Sequence, residues 1–194
     1  MDPDSSFPRL ISLAAHDLRT PLATIHGFAQ TLARMEDLGE PKQRYVGMIR
    51  EAARQLTDLL DEVGLAARIE EGRYDPNLQP VDTAELARGA AAELGEDRVV
   101  VAGEGREVEV DVEATRRGVA ALAQAALRHG GLDQVDVRVD GASLAISPVT
   151  ASSRLVLVGE ELRDLGAAVA VRLVQALGGS VELDGDSLVV RLPE

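Results

Sequence analysis

Apolar residues recur at alternating steps of four and three along the start of the chain, at Ile11, Ala15, Leu18, Leu22, Ile25, Ala29 and Leu32. This is the spacing of a helical seam of the coiled-coil kind. The stretch Glu36 to Pro41 interrupts it with charges, Gly39 and Pro41, and a proline suits the first turn of a following helix. From Lys42 a second seam runs through Tyr45, Ile49, Ala52, Leu56, Leu59, Val63 and Ala66. Two long amphipathic helices with a short connection pack antiparallel, yet a lone hairpin buries only one side of each stripe. Pairing with a second copy completes a four-helix bundle.

The heptad pattern stops at EEGRYDPNLQP, residues 70–80, and the expected division is a helical hairpin over 1–72, a linker over 73–80 and a second domain over 81–194. In that domain Asp82 is placed to cap a helix over 83–94, and β-rich runs follow at 98–102 and 107–110. A helix is expected over 112–128, then strands over 134–139 and 143–146 about the Asp140-Gly141 turn. A further strand is expected over 154–158, a helix over 160–177, and a final hairpin of 180–183 with 187–192 about Asp184 and Gly185. The second half therefore reads as α+β, a sheet covered by helices.

Composition narrows the function. Aromatic residues make up 2% of the chain against 45% hydrophobic, so cores are aliphatic and little is available to stack on bases. A formal net charge of −13 argues against a phosphate backbone as partner, so nucleic acid is not expected. There is no cysteine, and the three histidines lack the close spacing of a metal cluster. No apolar run reaches membrane-spanning length and the first residues lack the build of a signal peptide, so no membrane partner and a cytoplasmic location are expected.

The candidate chemistry lies on the first helix. His16 stands beside the seam position Ala15, on the flank of the bundle where an imidazole is half packed and half wet. Asp17 follows, able to fix one tautomer and take up charge, and Thr20 lies one turn on from His16, where a hydroxyl can orient water or a phosphoryl oxygen. Pro21 removes a helical hydrogen bond and displaces the carbonyl of Asp17, at about 3 kcal/mol in an ordinary helix, bending the chain where His16 and Asp17 are presented.

The segment LAAHDLRTPLATIHGF, residues 13–28, resembles the H-box of two-component sensor histidine kinases, in which His, an acidic residue, Leu, Arg, Thr, Pro and Leu occur together on the first helix of a dimerisation and phosphotransfer domain. The resemblance implies that His16 accepts phosphate, that Asp17 is its acid/base partner, that Thr20 is the polar residue tied to phosphatase activity and that Pro21 is the kink. Residues 81–194 resemble the family's ATP-binding domain in outline, through PVDTAELARGAAAEL and VRLVQALGGSVEL. The parts that grip a nucleotide are absent. Where the family writes Asn-Ala before Leu-Arg-His-Gly, the chain has Ala125 and Ala126. Where Asp-x-Gly-x-Gly should follow Ile146, it has Ser147 to Thr150, and of the last glycine box Gly166 survives beside Asp164.

The fold expected is thus a two-helix hairpin forming a dimeric four-helix bundle, followed by a degenerate histidine-kinase ATPase-like α/β sandwich. The function expected is histidine phosphotransfer between receiver aspartates through phospho-His16, in the manner of phosphorelay phosphotransferases. Its partners would be response-regulator receiver domains and a second copy of the chain. No cofactor of its own is expected, the receiver supplying magnesium. Docking is expected below His16, at Arg19, Pro21, Leu22, Ile25 and Phe28, with core as the alternative for Leu22 and Ile25. Rival readings are a noncatalytic regulator that binds receivers, a receiver phosphatase using Thr20, and an ATP-dependent sensor kinase. His26 and His129 are expected to be surface histidines without chemistry.

Overall fold

The structure is a computed structural model that describes residue 19 and residues 22–23, 25–27, 29–34, 40–161 and 163–193. It divides into two compact units, Met1–Arg73 and Tyr74–Glu194.

In the first unit the described residues between 19 and 34 are helical (α1), and α2 spans Glu40–Glu70. An ion pair joins Arg19, early in α1, to Asp61, late in α2, as an antiparallel hairpin requires. Leu22 and Ala29 of α1 are buried, at 4% and 2% exposure, as are Val46, Ala53 and Ala67 of α2. The α2 seam expected from sequence is therefore not the buried stripe. Val46, Ala53 and Ala67 lie one position after seam members and point inward, whereas Ile49, Leu56 and Leu59 are 44%, 50% and 45% exposed. Small side chains let two helix backbones approach closely, so the alanines take the intramolecular contact and the large aliphatics are left outside. Helix α2 ends at Glu70, and Gly72 beyond it, with a φ of 63, admits the turn in which Arg73 N–H donates to the Arg68 carbonyl at 2.8 Å.

The second unit carries a five-stranded sheet in the order β2-β4-β5-β7-β6 and a two-stranded ribbon, β1-β3. The strands are β1 Leu78–Asp82, β2 Val99–Gly105, β3 Glu107–Asp111, β4 Val135–Gly141, β5 Ser143–Ser147, β6 Ser180–Asp184 and β7 Ser187–Arg191. Pair β2/β4 is parallel, while β4/β5, β5/β7 and β6/β7 are antiparallel. Helices α3 (Thr83–Leu94), α4 (Val112–Gly130) and α6 (Leu165–Ala176) cover one face of the sheet. Along β4 the buried residues Val135, Val137 and Val139 alternate with exposed Asp136, Arg138 and Asp140, so the other face is left to water.

Local chemistry accounts for the helix starts. Asp82 caps α3, its carboxylate accepting from the N–H of Ala84 at 2.8 Å and of Glu85 at 3.3 Å. Buried Thr83 donates its hydroxyl to the Gly141 carbonyl at 2.5 Å and accepts from the Arg106 N–H at 3.2 Å, tying α3 to the β4-β5 turn.

Three expectations are corrected. Residues 78–80, expected in the linker, form β1 and pair with β3, because Val81 and Val108, opposite each other in that ribbon, pack on the core. Residues 154–158, expected as a strand, form the short helix α5 (Arg154–Leu157). Adjacent Val156 and Leu157 are both buried there, which a strand facing water on one side cannot provide, and the Ser153 hydroxyl accepts from the Thr150 N–H to start the turn. The helix expected from residue 160 begins at Leu165, since Asp164 is its N-cap.

Candidate functional site

Of the residues singled out on the first helix, His16, Asp17, Thr20, Pro21 and Phe28 lie outside the described residues. Those around them are placed. Arg19 is half exposed and held by Asp61 from the opposite helix, a partner that no sequence spacing indicated. Leu22 is buried and so takes the core alternative, whereas Ile25 is 48% exposed. His26 is half buried, with Nε2 2.7 Å from Nε2 of Gln30 one turn on.

The second site the sequence pointed to is spread over α4, the β5-α5 turn and the start of α6. Ala125 and Ala126 sit within α4 at 0% exposure, packed in the core. After β5 the chain passes through Ser147, Pro148, Val149 and Thr150 into α5, and the Val149 N–H donates to the Asp186 carbonyl at 2.6 Å. No carboxylate is carried by this segment.

At the start of α6 the carboxylate of Asp164 is fully engaged. Its Oδ1 accepts from the Ala167 N–H at 3.1 Å, and its Oδ2 accepts from Arg128 Nη1 at 3.2 Å and lies 3.0 Å from His129 Nε2. His129, expected on the surface, is 19% exposed and held in this pair. Its position at the C-terminal end of α4 was legible, but a partner 35 residues away was not. Asp164 did carry a readable signal, an aspartate immediately before an apolar helical run. Among the described residues no group of three or more His, Asp or Glu is arranged to hold a metal ion, and no helix is long and apolar enough to cross a membrane.

Residues 9–72 match the His Kinase A (phospho-acceptor) domain. The sensor protein kinase PmrB of Pseudomonas aeruginosa is 32% identical over 93 residues, 47% of this chain and 19% of that protein. The sensor histidine kinase TrcS of Mycobacterium tuberculosis is 35% identical over 91 residues, 46% of this chain and 18% of that protein. An uncharacterized sensor-like histidine kinase of Rhizobium meliloti is 26% identical over 222 residues, covering 95% of this chain and 42% of its own length. The chain thus spans less than half the length of these curated relatives. Solved structures share the fold. Full-length ShkA in complex with AMPPNP superposes with a TM-score of 0.66 at 23% identity, over 94% of this chain and 44% of that one. The Acinetobacter baumannii histidine kinase AdeS does so with a TM-score of 0.56 at 18% identity, over 90% of this chain and 94% of that one. The chain thus carries a match to a phospho-acceptor domain over residues 9–72, followed by an α/β domain, and its fold is similar to that of the AdeS histidine kinase.

Proposed function

We infer that the chain is a histidine phosphotransferase, cytoplasmic and homodimeric, that takes a phosphoryl group onto His16 from the aspartyl phosphate of one receiver domain and passes it to the aspartate of another. The observation that carries this reading is the pair Ala125 and Ala126, two fully buried methyl-bearing residues at the α4 position where the resemblance calls for a metal-binding amide. A methyl group cannot ligate magnesium, which takes oxygen donors. The residues after β5 offer no carboxylate to read adenine, and Asp164 sets a negative charge where phosphates would approach α6. Nucleotide and magnesium do not fit the residues present.

In the transfer, a neutral ring nitrogen of His16 attacks phosphorus in line. The N–P bond forms as the bond from phosphorus to the aspartyl oxygen breaks, and the electron pair returns to that carboxylate. Asp17, by the H-box resemblance the acid/base partner, is assigned the role of offsetting the charge that develops on the imidazole. Magnesium comes with the receiver's acidic pocket. Because the phosphoramidate is itself labile, the step runs in either direction, and the surface around His16 sets the choice of partner. Arg19 and Ile25, both exposed, are assigned to that surface and buried Leu22 to its support. The docking roles of Pro21 and Phe28 and the phosphoryl- or water-orienting role of Thr20 are proposed from the sequence, these three lying outside the described residues.

The sequence match over residues 9–72, which contains the whole H-box, supports the histidine's role. The competing reading, an ATP-dependent sensor kinase, is favoured by the similarity to a sensor protein kinase and a sensor histidine kinase. A chase experiment tests the proposal. A phosphorylated receiver is mixed with the protein and a second receiver is then added. Acid-labile label should appear on the protein and leave with the second receiver, and His16→Gln should abolish both steps. Transfer that survives His16→Gln would rule the proposal out.

A further inference from the structure

The five-stranded sheet ends at β2 on one side and at β6 on the other, and the two edges are built differently. Edge β6 is five residues long and sets Glu182 and Asp184 on its exposed face, charges that discourage a further strand. Edge β2 runs for seven residues, and Val99 to Gly103 carry no charge. The Val135 N–H donates to the Arg98 carbonyl at 2.9 Å, so in the parallel register Arg98, Val100 and Ala102 direct their peptide groups to β4. Val101 directs its own away from the sheet, and among the described residues neither its N–H nor its carbonyl has a hydrogen-bond partner. Its side chain lies on the covered face yet is only half buried, whereas Val137 beside it on β4 is 1% exposed. On the open face Val100 and Ala102 are both exposed.

An unpaired main-chain donor and acceptor with apolar side chains on both faces fit one kind of occupant, the extended backbone of another strand. Charge narrows its side chains. Around β2 the carboxylates of Glu96, Asp97, Glu104, Asp136 and Asp140 outnumber the guanidinium groups of Arg98, Arg106 and Arg138. We propose that β2 is a docking edge that receives an extended, lysine-bearing apolar segment of a partner protein as an added strand. Alternate side chains of that segment pack beside Val101 on the covered face and carry cations to the carboxylates on the open face. A second copy of this chain meets the requirement poorly, since it brings the same excess of carboxylates to the seam. The edge serves partner recognition whatever the source of the phosphoryl group on His16.

The probe is the acetylated, amidated peptide Lys-Val-Lys-Val-Lys-Val-Lys, titrated into the full chain and followed by amide NMR. The Val101 amide should shift and exchange its hydrogen more slowly as it gains an acceptor. The same peptide with Glu at each Lys position should bind at least about tenfold more weakly, because its charges meet carboxylates. Two variants attack the edge itself, with thermal unfolding as the check on folding. Ala102→Lys sets a charge on the exposed lane and Val101→Pro removes the outward N–H, and each should weaken the lysine peptide at least about tenfold. A Val101 amide that the lysine peptide leaves unmoved would overturn the proposal, as would equal binding of the two peptides or folded variants that bind like wild type. Shifts at Val101 that grow with protein concentration in the absence of peptide would also overturn it, by giving the edge to a second copy. Where a variant fails to fold, the comparison of the two peptides on the wild type decides.

Discussion

Leu56→Glu should convert a dimer into a monomer. Leu32 of α1 and Ile49, Leu56 and Leu59 of α2 are each between 41% and 50% exposed, a stripe of large aliphatics on a hairpin whose small residues face inward. Full burial of such a side chain is worth about 1.5–3 kcal/mol, so covering the half that remains open recovers about 1 kcal/mol. A two-fold interface meets every substitution twice. Leu56→Glu thus forfeits about 2 kcal/mol of apolar burial and sets two carboxylates without partners into the seam, where each unpaired charge costs further. A total loss of at least about 3 kcal/mol corresponds to roughly a hundredfold weaker dimer. Sedimentation equilibrium measures it directly, and the unfolding midpoint of the wild type, though not of the variant, should rise with protein concentration. A variant that dimerises as tightly as wild type would refute the assignment of this stripe to a second copy.

Three further outcomes are expected. Gly103 has a φ of 104 and a Cβ there would lie 2.0 Å from the Val139 carbonyl oxygen, whereas Gly131, with a φ of 63, has nothing within 4 Å. Gly103→Ala should abolish folding of the second unit or cost more than about 3 kcal/mol, and Gly131→Ala about 1 kcal/mol, read by chemical denaturation; equal costs would contradict the β2-β4 spacing. Leu157→Ala, at 0% exposure, should destabilise by about 2–5 kcal/mol, and a cost under about 1 kcal/mol would show that α5 does not seal the core. The hydrogen bond from the Arg54 guanidinium, helped by Gln55, holds the Glu51 carboxyl below its ordinary value of 4.5. Its small contribution is therefore present above the ordinary glutamate range and fades as pH falls through the lowered value. Arg54→Met should return the carboxyl titration, followed by NMR, toward the ordinary value, and an unmoved midpoint would refute the pairing.

The parts of the molecule most legible in sequence were those governed by local rules. Asp82 announced the start of α3 and the turn glycines announced the hairpins, because capping and turn geometry act over a few residues. The hairpin was legible as two stripes, but which stripe faces the partner helix was not, since that choice follows from the closeness of helix packing and not from hydrophobicity. Helix α5 escaped because a four-residue apolar run has no period of its own and takes its form from the core it plugs. The Arg19-Asp61 and His129-Asp164 pairs bridge residues 42 and 35 apart, and only the fold brings them together.

The source of a phosphoryl group on His16 separates receiver-to-receiver transfer from ATP-dependent kinase activity most directly. The protein is offered, in parallel, a labelled phosphorylated receiver and labelled ATP with magnesium, and phosphohistidine is located by peptide mass spectrometry. Receiver-to-receiver transfer requires label on His16 from the receiver and none from ATP; label from ATP alone, or none on His16 from any receiver, would contradict it.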